Sequence, residues 1–137
     1  MSMNLKRCDT YKQFKSLLEP ERYLVLDFSY VLRQSLARFR CSVHKFAIEV
    51  GRHQNIPRNE RICLYCFNLF HIRQIEEEFH VFFICSKFDN LRQQHLLSWF
   101  KGCKNQYNFC NLMKTKSQIK LKKIAIYIHE VIKLYEQ

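Results

Sequence analysis

The chain has 137 residues, 47% of them hydrophobic, with 23 Lys and Arg against 12 Asp and Glu and a formal net charge of +11. That length sets one domain with a modest core, and the apolar content excludes wholesale disorder. No apolar run reaches the length of a membrane span and no signal-peptide pattern opens the chain, so an intracellular protein, nuclear or cytoplasmic, is expected.

Two Gly and two Pro in the whole chain point to long regular elements, chiefly helices. Residues 5–18 repeat apolar groups at Leu5, Cys8, Tyr11, Phe14 and Leu17 or Leu18, a helix period. Pro20 ends it, since a residue before proline avoids the α region. Residues 21–40 read as one or two further helices. Ser29 is placed to cap the second, whose buried stripe would be Val31, Leu32, Leu36 and Phe39. Ser42 is a candidate cap for a short helix from Val43 to Val50, with Phe46, Ala47 and Val50 inward. Gly51 suits the left-handed residue just past it. His44 lacks a partner at metal spacing and reads as a hydrogen-bonded histidine near the core. Glu49 reads as one end of an internal ion pair with Arg52 or Arg38. Residues 52–60 form a polar loop.

Residues 61–88 hold the motif on which the rest depends. Cys63 and Cys66 form a C-x2-C pair, and His80 and Cys85 follow as H-x4-C. Thiolate and imidazole are the ligands zinc prefers, and structural sites carry four of them with no open position. The expectation is one Zn2+ per chain on Cys63, Cys66, His80 and Cys85. The turn between the first two cysteines can aim backbone N–H groups at sulfur. The spacing of five from His80 to Cys85 fits a helical turn ending near Cys85 better than two ligands within one regular helix. Between the pairs a short hairpin is expected over Phe67 to Arg73, with a helix starting near Glu76–Glu78. His71 is the rival imidazole and ranks below His80, because no cysteine follows it closely. An odd total of seven cysteines fits poorly with a disulfide framework, so Cys8, Cys41, Cys103 and Cys110 read as inert thiols.

Beyond the motif, residues 88–101 place Leu91, Leu96, Trp99 and Phe100 on roughly one helical face, with Asp89 as cap. Trp99 and Phe100 read as core in preference to base-stacking platforms. A turn and short helix follow around Tyr107 to Met113. From Ser117 to Tyr135 the apolar positions Leu121, Ile124, Tyr127, Ile128, Val131, Leu134 and Tyr135 define an amphipathic helix. Its first turns carry Lys120, Lys122 and Lys123, near Lys114 and Lys116. Cations at a helix start oppose its dipole, so something other than helix stability has room to explain them. By segment, residues 30–61 carry +5, 62–89 carry −2 and 101–137 carry +6, so the positive charge flanks the metal motif.

The run RFRCSVHKFAIEVGRHQNIPRNERICLYC, followed by IEEEFHVFFICSKFDNLR, is similar to the zinc-binding segment at the C-terminal end of non-LTR retrotransposon reverse transcriptases. The matching positions are Arg38, Arg40, Ser42, His44, Ile48, Glu49, Gly51, Arg52, Ile56, Pro57, Arg61, Cys63, Cys66, Glu77, Glu78, His80, Cys85, Leu91 and Arg92. Val81 replaces a usual Phe and Ser86 a common Pro, and neither change removes a ligand. The resemblance implies a nucleic-acid-associated zinc module. No polymerase core accompanies it: a Tyr-x-Asp-Asp motif is absent from the sequence.

Together these readings give a mainly α fold: a small helical domain built around a CCHC zinc knuckle with a short β-hairpin. It is one domain over 1–137, with N-terminal helices to residue 60, the knuckle over 61–88 and C-terminal helices over 89–137. The function expected is non-catalytic binding of nucleic acid, RNA or single strands before duplex. Arg38, Arg40, Arg52, Arg58 and Arg61 on one side, with Lys114, Lys116, Lys120, Lys122 and Lys123 on the other, would meet phosphates. The alternative is a zinc-stabilised structural or protein-interaction domain. A zinc hydrolase is the weakest reading, because four protein ligands close the shell.

Overall fold

A computed structural model describes residues 29–136. The expected helix over 5–18, with Cys8, and the part of the expected 21–40 helices up to residue 28 lie outside the described residues. Within them the chain is mainly helical and contains no strand; its one β-type pairing is an isolated antiparallel bridge between Ile62 and Ile75. No described helix is long and apolar enough to cross a membrane.

Helix α1 runs Tyr30–Arg40, and the Ser29 hydroxyl accepts from the Leu32 N–H as its cap. Its buried face is Ser35, Leu36, Phe39 and Arg40, while Val31, expected inside, is exposed. Helix α2 runs Ala47–His53, four residues later than the sequence pattern suggested. Ser42 does not cap it. Ser42 takes a left-handed conformation and gives its hydroxyl to Glu78 at 3.1 Å. The first amides of α2 are met from a distant segment: Ala47 N–H donates to the Glu76 carboxylate at 2.7 Å and Ile48 N–H to the Glu76 carbonyl at 3.1 Å. This tertiary cap lies 29 residues away in sequence, so local pattern reading misplaced the helix start.

Gly51 is not the left-handed stop. It lies within α2, and the stop is Asn55, with φ 58°. Ile56 N–H bonds the Gly51 carbonyl and Asn55 N–H bonds the Arg52 carbonyl, the paired bonds of a Schellman motif. Glycine is needed at 51 for a different reason. A Cβ there would meet Arg61 Cγ at 2.5 Å, because the Arg61 side chain lies across this turn of the helix.

The hairpin expected over Phe67 to Arg73 is absent. Helix α3, Leu64–Phe70, takes that place, and His71 ends it in a left-handed conformation. Histidine tolerates that region better than bulkier or β-branched residues do. The Ile62–Ile75 bridge closes the excursion, with Cys63 N–H donating to the Gln74 carbonyl and Glu76 N–H to the Arg61 carbonyl. A π-helical turn, His80–Ile84, then leads through a 3-10 turn, Ser86–Phe88, into helix α4, Asp89–His95. Helix α4 is shorter than the stretch read from sequence. Asp89 is its first residue, pairing with Arg92, and not its cap.

Helix α5 spans Gln106–Met113, capped by the Asn105 side chain, and helix α6 spans Gln118–Tyr135, capped by Ser117. The buried stripe of α6 holds Leu121, Ile124, Tyr127, Ile128 and Val131 as the periodicity predicts, while Leu134 is exposed. α6 packs along α1 and against α4 and α5. Between these helices sits an aromatic cluster. Phe82, on the π turn, meets Phe109 of α5 at 5.3 Å and Tyr127 of α6 at 5.7 Å, both edge-on. Trp99 and Phe100 pack on this core, with Phe100 stacked on Phe83 at 5.5 Å.

Candidate metal centre

Cys63 stands just before α3 and Cys66 one turn into it, so the C-x2-C pair straddles a helix start. His80 and Cys85 bracket the π turn. On an α-helix, residues five apart are rotated by about 140° from one another. The π turn closes an i to i+5 hydrogen bond instead, from Cys85 N–H to the His80 carbonyl at 2.9 Å. That wider loop brings His80 and Cys85 to the same side.

The four ligand atoms converge, all within 4.8 Å of one another, and all four residues are buried. Cys63 Sγ lies 3.7 Å from Cys85 Sγ, Cys66 Sγ lies 3.9 Å from Cys85 Sγ, and Cys66 Sγ lies 3.6 Å from His80 Nε2. A tetrahedral ion about 2.3 Å from sulfur and about 2.0–2.1 Å from nitrogen requires edges of about 3.5–3.8 Å. These three separations are close to that, and the group could hold one metal ion. Cys41, Cys103 and Cys110 lie outside it and are in no disulfide, and His71 is exposed.

The surroundings pull the three sulfurs in different directions. The backbone N–H groups of Cys66, Ser86 and Lys87 lie near the sulfurs of Cys63, Cys66 and Cys85 respectively, and each favours the thiolate. The Cys85 thiol, hydrogen-bonded to Cys63, holds the Cys63 thiol down to about 3. The same bond, and then burial, pushes Cys85 upward. Burial pushes Cys66 upward as well, with the nearby Cys63 charge adding to it. Three buried sulfurs share this space, and only a cation lets all of them ionise together.

Other buried polar groups hold the ligand segments. Glu78, two residues before His80, accepts from Ser42 and pairs with His44, which stacks on Phe46 at 3.9 Å. His44 is thus a hydrogen-bonded core histidine. Arg61, two residues before Cys63, is buried and donates to the carbonyls of Ile56 at 2.8 Å and Ile48 at 3.2 Å. Burial, ahead of its charged neighbours, lowers the Arg61 pKa.

The two sets of basic residues differ in placement. Arg40 is buried and donates to the Met113 carbonyl, and Arg61 is buried as described. Arg38 pairs with Glu136, Arg52 with Glu49 and Arg58 with Glu77. Lys114, Lys116, Lys120, Lys122 and Lys123 are all exposed. None of the five pairs with a carboxylate among the described residues. The sequence reading gave no role of its own to Arg92, which is almost fully buried against the π turn. Its signals were a place seven positions after the last ligand and a match to the family segment. No protein-family model, no curated protein and no solved structure matches the chain.

Proposed function

We propose that the chain is a non-catalytic zinc module that binds nucleic acid through the lysines at the end of α5 and the first turns of α6. The observation that carries the zinc assignment is the buried convergence of three sulfurs and one imidazole, all within 4.8 Å of one another. Soft thiolates beside an imidazole select zinc among the common divalent ions, and a closed four-ligand shell fits a structural role. The ion would add folding free energy, because the site does not exist in the unfolded chain.

For nucleic acid, the support is the cluster of exposed lysines on a segment, 101–137, that holds eight lysines against two glutamates. Such a face attracts phosphate and releases counterions when it binds. The resemblance to the C-terminal segment of non-LTR retrotransposon reverse transcriptases points the same way and favours RNA or single strands. The paired and buried arginines shift the weight of the phosphate grip from the N-terminal set onto these lysines. The test is the slope of log affinity against log salt for RNA and DNA probes. Changing Lys114, Lys116, Lys120, Lys122 and Lys123 to Glu should abolish binding, and losing a single contact should flatten the single-strand slope by about 0.7. Binding that ignores this charge reversal would defeat the proposal.

A protein-interaction domain is the second reading. It draws on Leu64, Leu69, Phe70 and Ile72, four large apolar side chains exposed on and just after α3. Absence of nucleic-acid binding at low salt in zinc-loaded protein would favour it.

A further inference from the structure

Arg92 is an arginine with only 1% of its surface exposed. Its guanidinium reaches across α4 to the π turn that carries His80 and Cys85. Nε donates to the Phe82 carbonyl at 2.9 Å, and one terminal nitrogen donates to the carbonyls of Cys85 at 2.8 Å and Val81 at 3.2 Å. The other terminal nitrogen holds Asp89 at 2.8 Å. A second donor comes from α6: the buried Tyr127 hydroxyl bonds the same Val81 carbonyl at 2.8 Å.

Burying a guanidinium is costly unless its donors are used, and here they go mainly to main-chain oxygens of one short turn. Carbonyls at the end of a helical segment lack partners within it. The π turn ends at Ile84 and is followed at once by Cys85 in an extended conformation, so its late carbonyls need outside donors. Arg92 supplies them in a fixed, planar fork. The turn's alternative is an ordinary α-helical register, which carries Cys85 away from His80.

We infer that Arg92 is a positioning residue for the metal: its guanidinium locks the π-helical turn that sets His80 and Cys85 on one ion, and Tyr127 assists from α6. The inference rests on the zinc reading above and goes beyond it, because it assigns the ligand geometry to a side chain that touches no ligand atom. Removing a group that orients ligands typically costs about 10- to 100-fold in metal affinity.

The experiment is zinc competition and cobalt(II) substitution on the full chain and on Arg92→Met, Arg92→Lys and Tyr127→Phe. Arg92→Met should weaken zinc by about 10- to 100-fold. It should also reduce the sulfur-to-cobalt charge-transfer band from three thiolates toward two as Cys85 swings out. Arg92→Lys, with one point donor in place of a fork, should fall between. Tyr127→Phe should have the smallest effect of the three. Leu36→Ala, a core cavity in α1, controls for general destabilisation: it should lower the melting temperature and leave the cobalt spectrum of the folded protein intact. If Arg92→Met does not fold, Arg92→Lys still decides the matter. Parental zinc affinity and a parental cobalt spectrum in the folded Arg92 variants would overturn the inference. Failure of the unmutated protein to bind one zinc would instead defeat the zinc reading itself.

Discussion

The two halves of the metal centre are built on unlike ground. Cys63 and Cys66 straddle the start of α3, whose Leu64, Leu69 and Phe70 face solvent. His80 and Cys85 sit on a turn whose Val81, Phe82 and Phe83 are buried in the aromatic core. One half is an excursion closed by a single bridge; the other is part of the core. The ion would therefore act as a rivet that fastens a weakly packed loop to a well-packed body. That would explain why a helix of seven residues, too short to be stable alone, holds its place.

Metal removal is the largest test of this contrast, since binding free energy at such sites is folding free energy. Chelation should strip amide protection first from residues 62–75 and last from α6, as read by hydrogen exchange. Simultaneous loss across both regions would mean that the halves are equally dependent on the ion. Next in size is Phe82→Ala. Deleting a buried phenyl ring typically costs about 3–5 kcal/mol, whereas Phe70→Ala on the exposed helix should stay within about 0.5 kcal/mol. Denaturant melts of the metal-loaded proteins would measure both, and similar losses would break the comparison.

The same contrast separates what the sequence reveals from what it hides. Cys63, Cys66, His80 and Cys85 were legible because ligand chemistry fixes residue types and spacing, and the structure brings those four side chains together. The stripe of α6 was legible because one periodicity runs through 18 residues. The segment between the ligand pairs was not. Its helix is seven residues long, its Leu64, Leu69 and Phe70 point outward, and its ends are set by a left-handed His71 and by hydrogen bonds to Gln74 and Arg61. Glu76, which caps α2 from another part of the chain, has no local signature either. Arginines were the hardest to place. Sequence counts their charge equally, yet Arg40, Arg61 and Arg92 serve main-chain carbonyls inside the fold.

Arg61 gives the third test. Its aliphatic stem lies over Gly51, and its guanidinium ties the 52–60 loop to α2 just ahead of Cys63. Gly51→Ala would drive a methyl group into that stem. Helix propensity alone would favour alanine by about 1 kcal/mol. Overpacking at a buried contact costs about 1–3 kcal/mol, so the net effect should be destabilising. A gain in melting temperature would show that Arg61 can move aside freely, and that the loop before Cys63 does not depend on its position.

The smallest effect belongs to the surface pair Arg38–Glu136, which joins the ends of α1 and α6. The Arg38 hydrogen bond holds the Glu136 carboxyl below its ordinary range. A carboxylate with a lowered folded-state pKa contributes stability above its unfolded pKa and loses it as pH falls through the folded one. Both side chains are substantially exposed, so solvent and salt screen the pair to about 0.2–1 kcal/mol. Glu136→Gln should therefore lower stability slightly at neutral pH, less at high salt, and not at all once the pH is below the carboxylate range. The same measurement on Arg92→Met, made against the unmutated protein with both kept free of metal so that protonation of the ligands does not enter, should keep its deficit across that range, because the Arg92 bonds to carbonyls do not titrate with any acid. If the two variants lost their effects together on acidification, Arg92 would be acting through Asp89 alone, and its hold on the π turn would carry no weight.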